Sequence, residues 1–294
     1  MFKTVHEKVW VFDCEWVPDP LSGRAAYDYP ESMSDREVIE NMWKEGGATD
    51  DDPMPFLKTV LCRIVSISAV IRTIVNGEAK VRLLSLPHYP QNPEECVESV
   101  ILDSFLNAIG QHKPQLIGYN SHSSDIKILI QRAIINGNQA PEFCHRPAKP
   151  WEGVDYFARG SEFNIDLMEI VGSWGKAAPS LHEIATAAGI PGKIEIDGNQ
   201  VASLWLNGEM EKIVAYNEYD ALTTYLLWLK TAHFAGFFSS VQYKQEQEKV
   251  KKLLESESDK DGRNHLKTYL KKWNSLTQLV NRAQSGVEFS IAKP

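Results

Sequence analysis

The run Lys8-Val-Trp-Val-Phe-Asp-Cys-Glu-Trp16 constrains this chain more than any other segment. It alternates like a strand and stops at Val17-Pro18-Asp19-Pro20, where two prolines withdraw ladder donors. Within it stand two carboxylates, Asp13 and Glu15. Strand side chains alternate, so both point to one face and Cys14 to the other. Burying two unpaired carboxylates costs several kcal/mol, and where no Lys or Arg is close in sequence a metal cation is the usual compensation. A strand end open to water would tolerate the same pair without function, so the strand alone leaves both readings standing.

The rest of the chain supplies a sheet around that strand. Residues 18–57 mix PDPLSG, a helical piece from Asp35 to Glu45, a Gly pair and Asp50-Asp51-Asp52-Pro53, which reads as a solvated surface insertion. Cys62 to Thr73, the Asn76-Gly77 turn and Lys80 to Leu86 predict an antiparallel hairpin. Apolar positions from Val97 to Ile109 recur at helical spacing. A short strand over Gln115 to Asn120, a helix from Asp125 to Asn136 and another strand from Phe163 to Val171 follow. Ser180 caps a helix running to Gly189, and a long helix spans Glu209 to about Phe234. Strands first, then strand and helix alternating, predict an α/β domain with a mixed sheet. Val241 to roughly Gln284 is charged and helical, with an interruption at Asp259-Lys-Asp-Gly262.

Two more segments carry acids. In Leu116-Ile-Gly-Tyr-Asn-Ser-His-Ser-Ser-Asp125 a strand ends, small polar residues turn the chain, and Asp125 opens a helix. Taken singly, helix capping and the helix dipole explain Asp125. In Tyr216-Asn-Glu-Tyr-Asp220 the i, i+4 spacing puts the Tyr216 hydroxyl and the Asp220 carboxylate on one helix face. A strand with two acids, a strand-to-helix turn with a third and a late helix with a fourth beside a Tyr can converge on a pair of divalent ions. Two ions ~3.5–4 Å apart clamp the attacking and leaving oxygens of a phosphodiester, and all-oxygen ligands suit Mg²⁺ or Mn²⁺.

At these residues the sequence resembles the DEDD 3′ to 5′ exonucleases of the ribonuclease H-like fold. Asp13 and Glu15 in VFDCEW match the first motif, Asn120 and Asp125 in GYNSHSSD the second, and Tyr216 with Asp220 in YNEYD the third. Tyr four residues before the last Asp is the DEDDy form; the His form has His five before, where Ala215 stands. The second-motif spacing and PSLHEIATAAGIPGKIEIDGNQVASLW are most similar to predicted exonucleases related to the exonuclease domain of family-B DNA polymerases. The resemblance covers about residues 8–235. It implies that Asp13, Glu15, Asp125 and Asp220 hold two Mg²⁺ or Mn²⁺ ions, that Tyr216 positions or helps deprotonate the attacking water, and that Asn120 orients the terminal nucleotide. Family members commonly carry an aromatic just before the second-motif Asp; Ser124 stands there instead. Trp16, which follows the first-motif Glu, has precedent in Werner-type exonuclease domains and either stacks on a base or serves as a rim or core aromatic.

The expectation is therefore a ribonuclease H-like α/β domain with a mixed five-stranded sheet flanked by helices over residues 1–240, and a basic helical extension over 241–294. The extension holds 11 Lys and Arg against 7 Asp and Glu, leaving 20 against 32 in the body. Two helices packed on the catalytic domain, with their lysines in water, are the expected arrangement. The expected activity is metal-dependent 3′ to 5′ hydrolysis of single-stranded DNA or RNA from a free 3′ end, DNA first, releasing nucleoside monophosphates. Hydrolysis of very short oligonucleotides suits the acidic body, since long phosphate backbones favour basic surfaces. The rival of another class is a nucleic-acid-binding scaffold without chemistry, which would gain nothing from clustered carboxylates. Homo-oligomerisation and a replication or repair partner are left open by these residues.

Composition sets the outer limits. With 43% hydrophobic and 24% charged residues in 294, disorder and repeat architectures are excluded. No run approaches the ~18 apolar residues of a membrane span, and MFKTVHEKVWVFDCE lacks a signal-peptide core, so a cytoplasmic protein without membrane contact is expected. Cys14, Cys62, Cys96 and Cys144 form no CxxC, and Cys144-His145 has no partner at zinc-site spacing. Asp166 is expected to make structural hydrogen bonds, and His122 to be a solvent-facing turn residue.

Overall fold

The computed structural model describes residues 2–149, 151–172, 178–194 and 198–284. The acidic strand is β1 (Lys8–Pro18), the middle member of a five-stranded sheet. On one side it pairs antiparallel with β2 (Cys62–Val75), which pairs in turn with β3 (Glu78–Leu86). The hairpin between them turns on Asn76 and Gly77, both at positive φ (53° and 79°), as a two-residue turn matched to strand twist requires. On the other side β1 runs parallel to β4 (Gln115–Gly118), and β4 to β5 (Asn164–Asp166). The order β3-β2-β1-β4-β5 is the ribonuclease H-like mixed sheet.

The helices, in chain order, are α1 (Pro20–Tyr27), α2 (Asp35–Glu45), α3 (Glu98–His112), α4 (Asp125–Asn136), α5 (Pro141–Cys144), α6 (Leu167–Val171), α7 (Leu181–Ala187), α8 (Val201–Leu206), α9 (Met210–Phe234), α10 (Ser240–Ser258) and α11 (His265–Gln284). Alternation along β1 splits the core in two. Val9 and Val11 face a layer built on α9, whereas Trp10, Phe12 and Cys14 face α3 and α4. Asp13 and Glu15 continue the α9 face beyond the last apolar pair. No described helix is long and apolar enough to cross a membrane.

Two local expectations are corrected. The segment Phe163 to Val171 is not one strand: the Asp166 carboxylate accepts from the Met168 N–H (2.9 Å), so the chain leaves β5 and coils into α6. Residues 18–57 are not simply solvated either. Asp19 caps an unforeseen helix, α1, and α2 buries Val38, Ile39 and Met42 completely. The two helices pack so closely at Gly23 that a Cβ there would sit 2.4 Å from the Met42 sulfur.

The C-terminal pair is built into the α9 layer. Val250 and Leu254 of α10 and Leu266, Tyr269 and Trp273 of α11 are buried in the same apolar cluster as Val9 and Val11. Two buried ionic contacts tie the pair down. Arg72 of β2 forms a bidentate pair with Glu246 of α10 (3.1 and 3.0 Å), and Glu218 of α9 accepts from Arg263 (2.8 Å) and faces His265 (2.6 Å). Several lysines of the extension already lean on local acids, among them Lys251 on Glu248 (2.8 Å) and Lys267 on Asp259 (3.4 Å). Arg72→Ala would leave the buried Glu246 carboxylate with only the longer contact to Lys249 (3.8 Å) in place of its bidentate partner, and is expected to cost about 3 kcal/mol in urea unfolding, as breaking one side of a buried pair does. A cost near zero would mean that α10 is only loosely attached.

Candidate active site

The site forms where β1 outruns β4. Parallel pairing ends at Val11 and Ile117, and the β4 chain then turns back through Gly118 and Asn120. Gly118 is needed because a Cβ would meet the Ser121 side chain at 2.3 Å; Asn120 takes a left-handed φ of 58°. Asp166 holds this turn, accepting from the N–H groups of Asn120 (2.8 Å) and His122 (3.1 Å), which is the structural role expected of it. The turn delivers Asp125 to the first position of α4. There Oδ1 accepts the N–H of Cys14 (3.0 Å), a β1 donor that lies past the end of the β4 ladder. The Ser124 hydroxyl shares its proton between Asp125 Oδ2 (2.8 Å) and the Asn120 carbonyl (2.7 Å), so the residue in the family's aromatic position is here a brace for the acid.

From the other face, α9 presents Tyr216, Asn217 and Asp220. Carboxylate oxygens of Asp13, Glu15 and Asp220 lie within 4.8 Å of one another. Tyr216 is buried and hydrogen-bonds Asp220. Asn217 was not singled out from the sequence. Its amide donates to Asp13 Oδ2 (2.7 Å) and accepts from the Ser66 hydroxyl (3.0 Å), so one fully buried amide fixes the rotamer of the first acid. The signal was there: an Asn one helical turn before Asp220 shares its face, and Ser66 and Ser68 interrupt the otherwise apolar run Ile64–Ile71 of β2 directly opposite Glu15 and Asp13. The β1–β2 register slips immediately after Glu15, leaving Val65 unpaired, a bulge of the kind that re-aims side chains beside sites.

Electrostatically the cluster is under self-repulsion. Burial, then Asp125, Glu15 and Asp220, push the Asp13 carboxyl well above the ordinary range, with the Asn217 amide opposing. Burial, then Asp220 and Asp125, do the same to Glu15. Asp125 is raised to about 6 because burial outweighs its hydrogen bonds from Ser124 and Cys14. Burial, then the charges of Asp220, Glu15 and Asp13, push the Tyr216 phenol far up, so it stays protonated at any physiological pH. Oxygen-only donors, packed this closely and acting on one another in the unfavourable direction, suit hard divalent cations such as Mg²⁺ or Mn²⁺.

A stability signature follows. An acid whose folded pKa is raised adds no penalty below its unfolded value, near 3.9, and its full penalty above the folded one. The chelated protein is therefore expected to lose stability from this cluster as pH rises from about 4 through about 6, the value of Asp125. Millimolar Mn²⁺ is expected to reverse that loss, raising Tm by several degrees at pH 7 and much less at pH 4.5. A Tm shift independent of pH, or none, would contradict it.

Other acids and histidines stand apart. His122, Asp166 and Glu169 form a second cluster, but its polar atoms are engaged: the His122 ring nitrogens lie 3.1 Å from Glu169 and 3.2 Å from the Asn164 carbonyl, and Asp166 serves the turn. His122 is thus pinned rather than free in solvent. Cys144 and His145 belong to no metal-capable group among the described residues. Trp16 points to the opposite face of β1 from Glu15, half-buried against the α3–α4 layer, with its ring edge-on to Phe56 at 6.1 Å.

No curated protein matches the sequence. A family B DNA polymerase from the hyperthermophilic archaeon Pyrobaculum calidifontis is similar in structure over 96% of this chain, at 14% identity and a TM-score of 0.44. This chain covers 30% of that polymerase. Residues 54–273 match a family described as predicted 3′-5′ exonucleases related to the exonuclease domain of PolB. That stretch contains Asn120, Asp125, Tyr216 and Asp220 and begins after Asp13 and Glu15. With most of its length so matched, the chain belongs to the family of predicted 3′-5′ exonucleases related to the PolB exonuclease domain.

Proposed function

We propose that the protein is a DEDDy-type exonuclease that removes nucleoside monophosphates from the 3′ end of single-stranded nucleic acid, DNA in the first instance, with two Mg²⁺ or Mn²⁺ ions. The observation that carries this reading is the convergence of Asp13, Glu15 and Asp220 oxygens within 4.8 Å, with Tyr216 bonded to Asp220, in a chain of this family. Asp13, Glu15, Asp125 and Asp220 would hold the ions. Such a pair, when bound, activates water and neutralises charge on the leaving oxygen.

The chain's own residues do the rest. Tyr216 donates a hydrogen bond to Asp220, which leaves its oxygen lone pairs to accept from a water, aim it at phosphorus and help to deprotonate it. Asn217 keeps the Asp13 carboxylate from rotating away. Asn120, held in its turn by Asp166, faces the terminal nucleotide, whereas Trp16 packs on the opposite face of β1 from Glu15.

Direction separates this reading from endonucleolysis. Strands with a free 3′ end are expected to shorten one nucleotide at a time, while 3′-blocked and circular strands resist; equal cleavage of all three would reject a 3′-end enzyme. A preference for short oligonucleotides is the second reading, favoured by the 20 Lys and Arg against 32 Asp and Glu of residues 1–240. Steep salt dependence on long strands would count against it.

A further inference from the structure

Glu218 is 1% exposed and stands on α9 between Asn217 and the candidate ligand Asp220. A carboxylate so deeply buried is tolerated only when its oxygens find donors. Oε1 accepts from the Ser85 hydroxyl of β3 (2.7 Å) and from Arg263 (2.8 Å), and Oε2 faces the His265 ring (2.6 Å). Arg263 lies in the turn between α10 and α11 and His265 opens α11, so at Glu218 the C-terminal pair grips the helix of the third acidic motif.

Beneath α9 the polar groups form a row across the sheet. Antiparallel register sets Asp13 of β1 opposite Ser68 of β2, and Ser68 opposite Ser85 of β3. Residues directly opposite share a face, and the two serine hydroxyls meet at 3.0 Å. At one end of the row Asn217 donates to Asp13 (2.7 Å); at the other Glu218 accepts from Ser85 (2.7 Å). Neighbouring residues of one helix are thus pinned to β1 and β3, roughly 9–10 Å apart at two strand spacings. One pin would let α9 roll about its axis, and two prevent it. Roll matters here: on a helix about 10 Å wide, a turn of about 10° carries the Asp220 carboxylate about 1 Å, and misplacement on that scale costs about 10²-fold in rate.

We infer that Arg263, with His265 beside it, acts through Glu218 as a positioning residue for the candidate metal site, fixing the roll of α9 that brings Asp220 to Asp13 and Glu15. The inference rests on the proposed two-ion hydrolase and gives the C-terminal pair a part in it. Arg72 and Glu246 supply the contrast, since they anchor the same pair to β2 four residues along the strand from Ser68 and bond to no residue of the row.

The test uses the whole protein without nucleic acid, with free Mn²⁺ counted by its EPR signal at a temperature where every variant is folded. Arg263→Met is expected to weaken Mn²⁺ binding by about 10-fold, as losing a group that orients ligands does, and Arg263→Lys, which keeps a cation for Glu218, to restore most of it. Ser85→Ala, approaching the same carboxylate from the sheet, should shift affinity in the same direction. Arg72→Ala should leave it within about two-fold of wild type despite its loss of stability. On strands, Arg263→Met should lower kcat and leave KM nearly unchanged, because the strand is not what Arg263 holds. Wild-type Mn²⁺ affinity in folded Arg263→Met would overturn the inference, and so would an equal loss in Arg72→Ala, which would mean general loosening. Mn²⁺ binding by the wild type without cleavage of any strand would reject the hydrolase reading and leave the positioning role standing.

Discussion

Asp13→Ala is expected to lower strand hydrolysis by about 10³-fold or more while making the metal-free protein no less stable, and more stable if anything. The first half comes from position. Asp13 shares the cluster with Glu15 and Asp220 and is the acid whose rotamer the buried Asn217–Ser66 pair fixes, so on the proposed function its loss removes a ligand that would hold the ions. The second half comes from repulsion. Burial and three other carboxylates all act against ionised Asp13, so removing it relieves the chelated fold at pH 7 even though Asn217 loses a partner. An ordinary buried residue behaves oppositely, losing stability and activity together. Turnover near wild type in a folded Asp13→Ala protein would remove Asp13 from the chemistry, and a large stability loss would recast it as a structural acid.

Tyr216→Phe is expected to cost about 10²-fold in turnover, the usual contribution of one positioned proton-bearing group. The ring of Tyr216 packs with Val17, Val65, Val201 and Ile213, contacts that Phe preserves. Only the hydroxyl goes, and with it the bond to Asp220 and the site where a water would be held. The Mn²⁺-induced rise in Tm should survive, because no carboxylate is lost. A rate within a factor of about two of wild type would demote Tyr216 to a packing residue.

Much of the sheet was legible because its signals are local. Alternation marked β1 and its two acids, Asn76-Gly77 marked the hairpin, the strand-to-helix turn marked Asp125, and i, i+4 spacing paired Tyr216 with Asp220. What was missed needed tertiary information. Alternation could not tell that β5 ends at Asp166, because the carboxylate that stops it does so by capping the next helix. The 18–57 segment read as solvent-exposed since Asp, Gly and Pro dominate it, yet a short stripe of Val38, Ile39 and Met42 suffices to bury it. Asn217 and Ser66 are polar residues of the kind that helices and strands also carry on wet faces. Their role emerges only where α9 crosses β1 and β2, 151 residues apart in sequence.

The most direct test is to incubate the purified protein with 3′-labelled and 5′-labelled single strands in Mg²⁺, in Mn²⁺ and in chelator. Label at the 3′ end should appear first as a nucleoside monophosphate, the 5′ label should pass down a one-nucleotide ladder, and chelator should stop both. Tight binding with no metal-dependent release of mononucleotide from any strand, DNA or RNA, short or long, would contradict the account and leave a nucleic-acid-binding protein whose four acids do no chemistry.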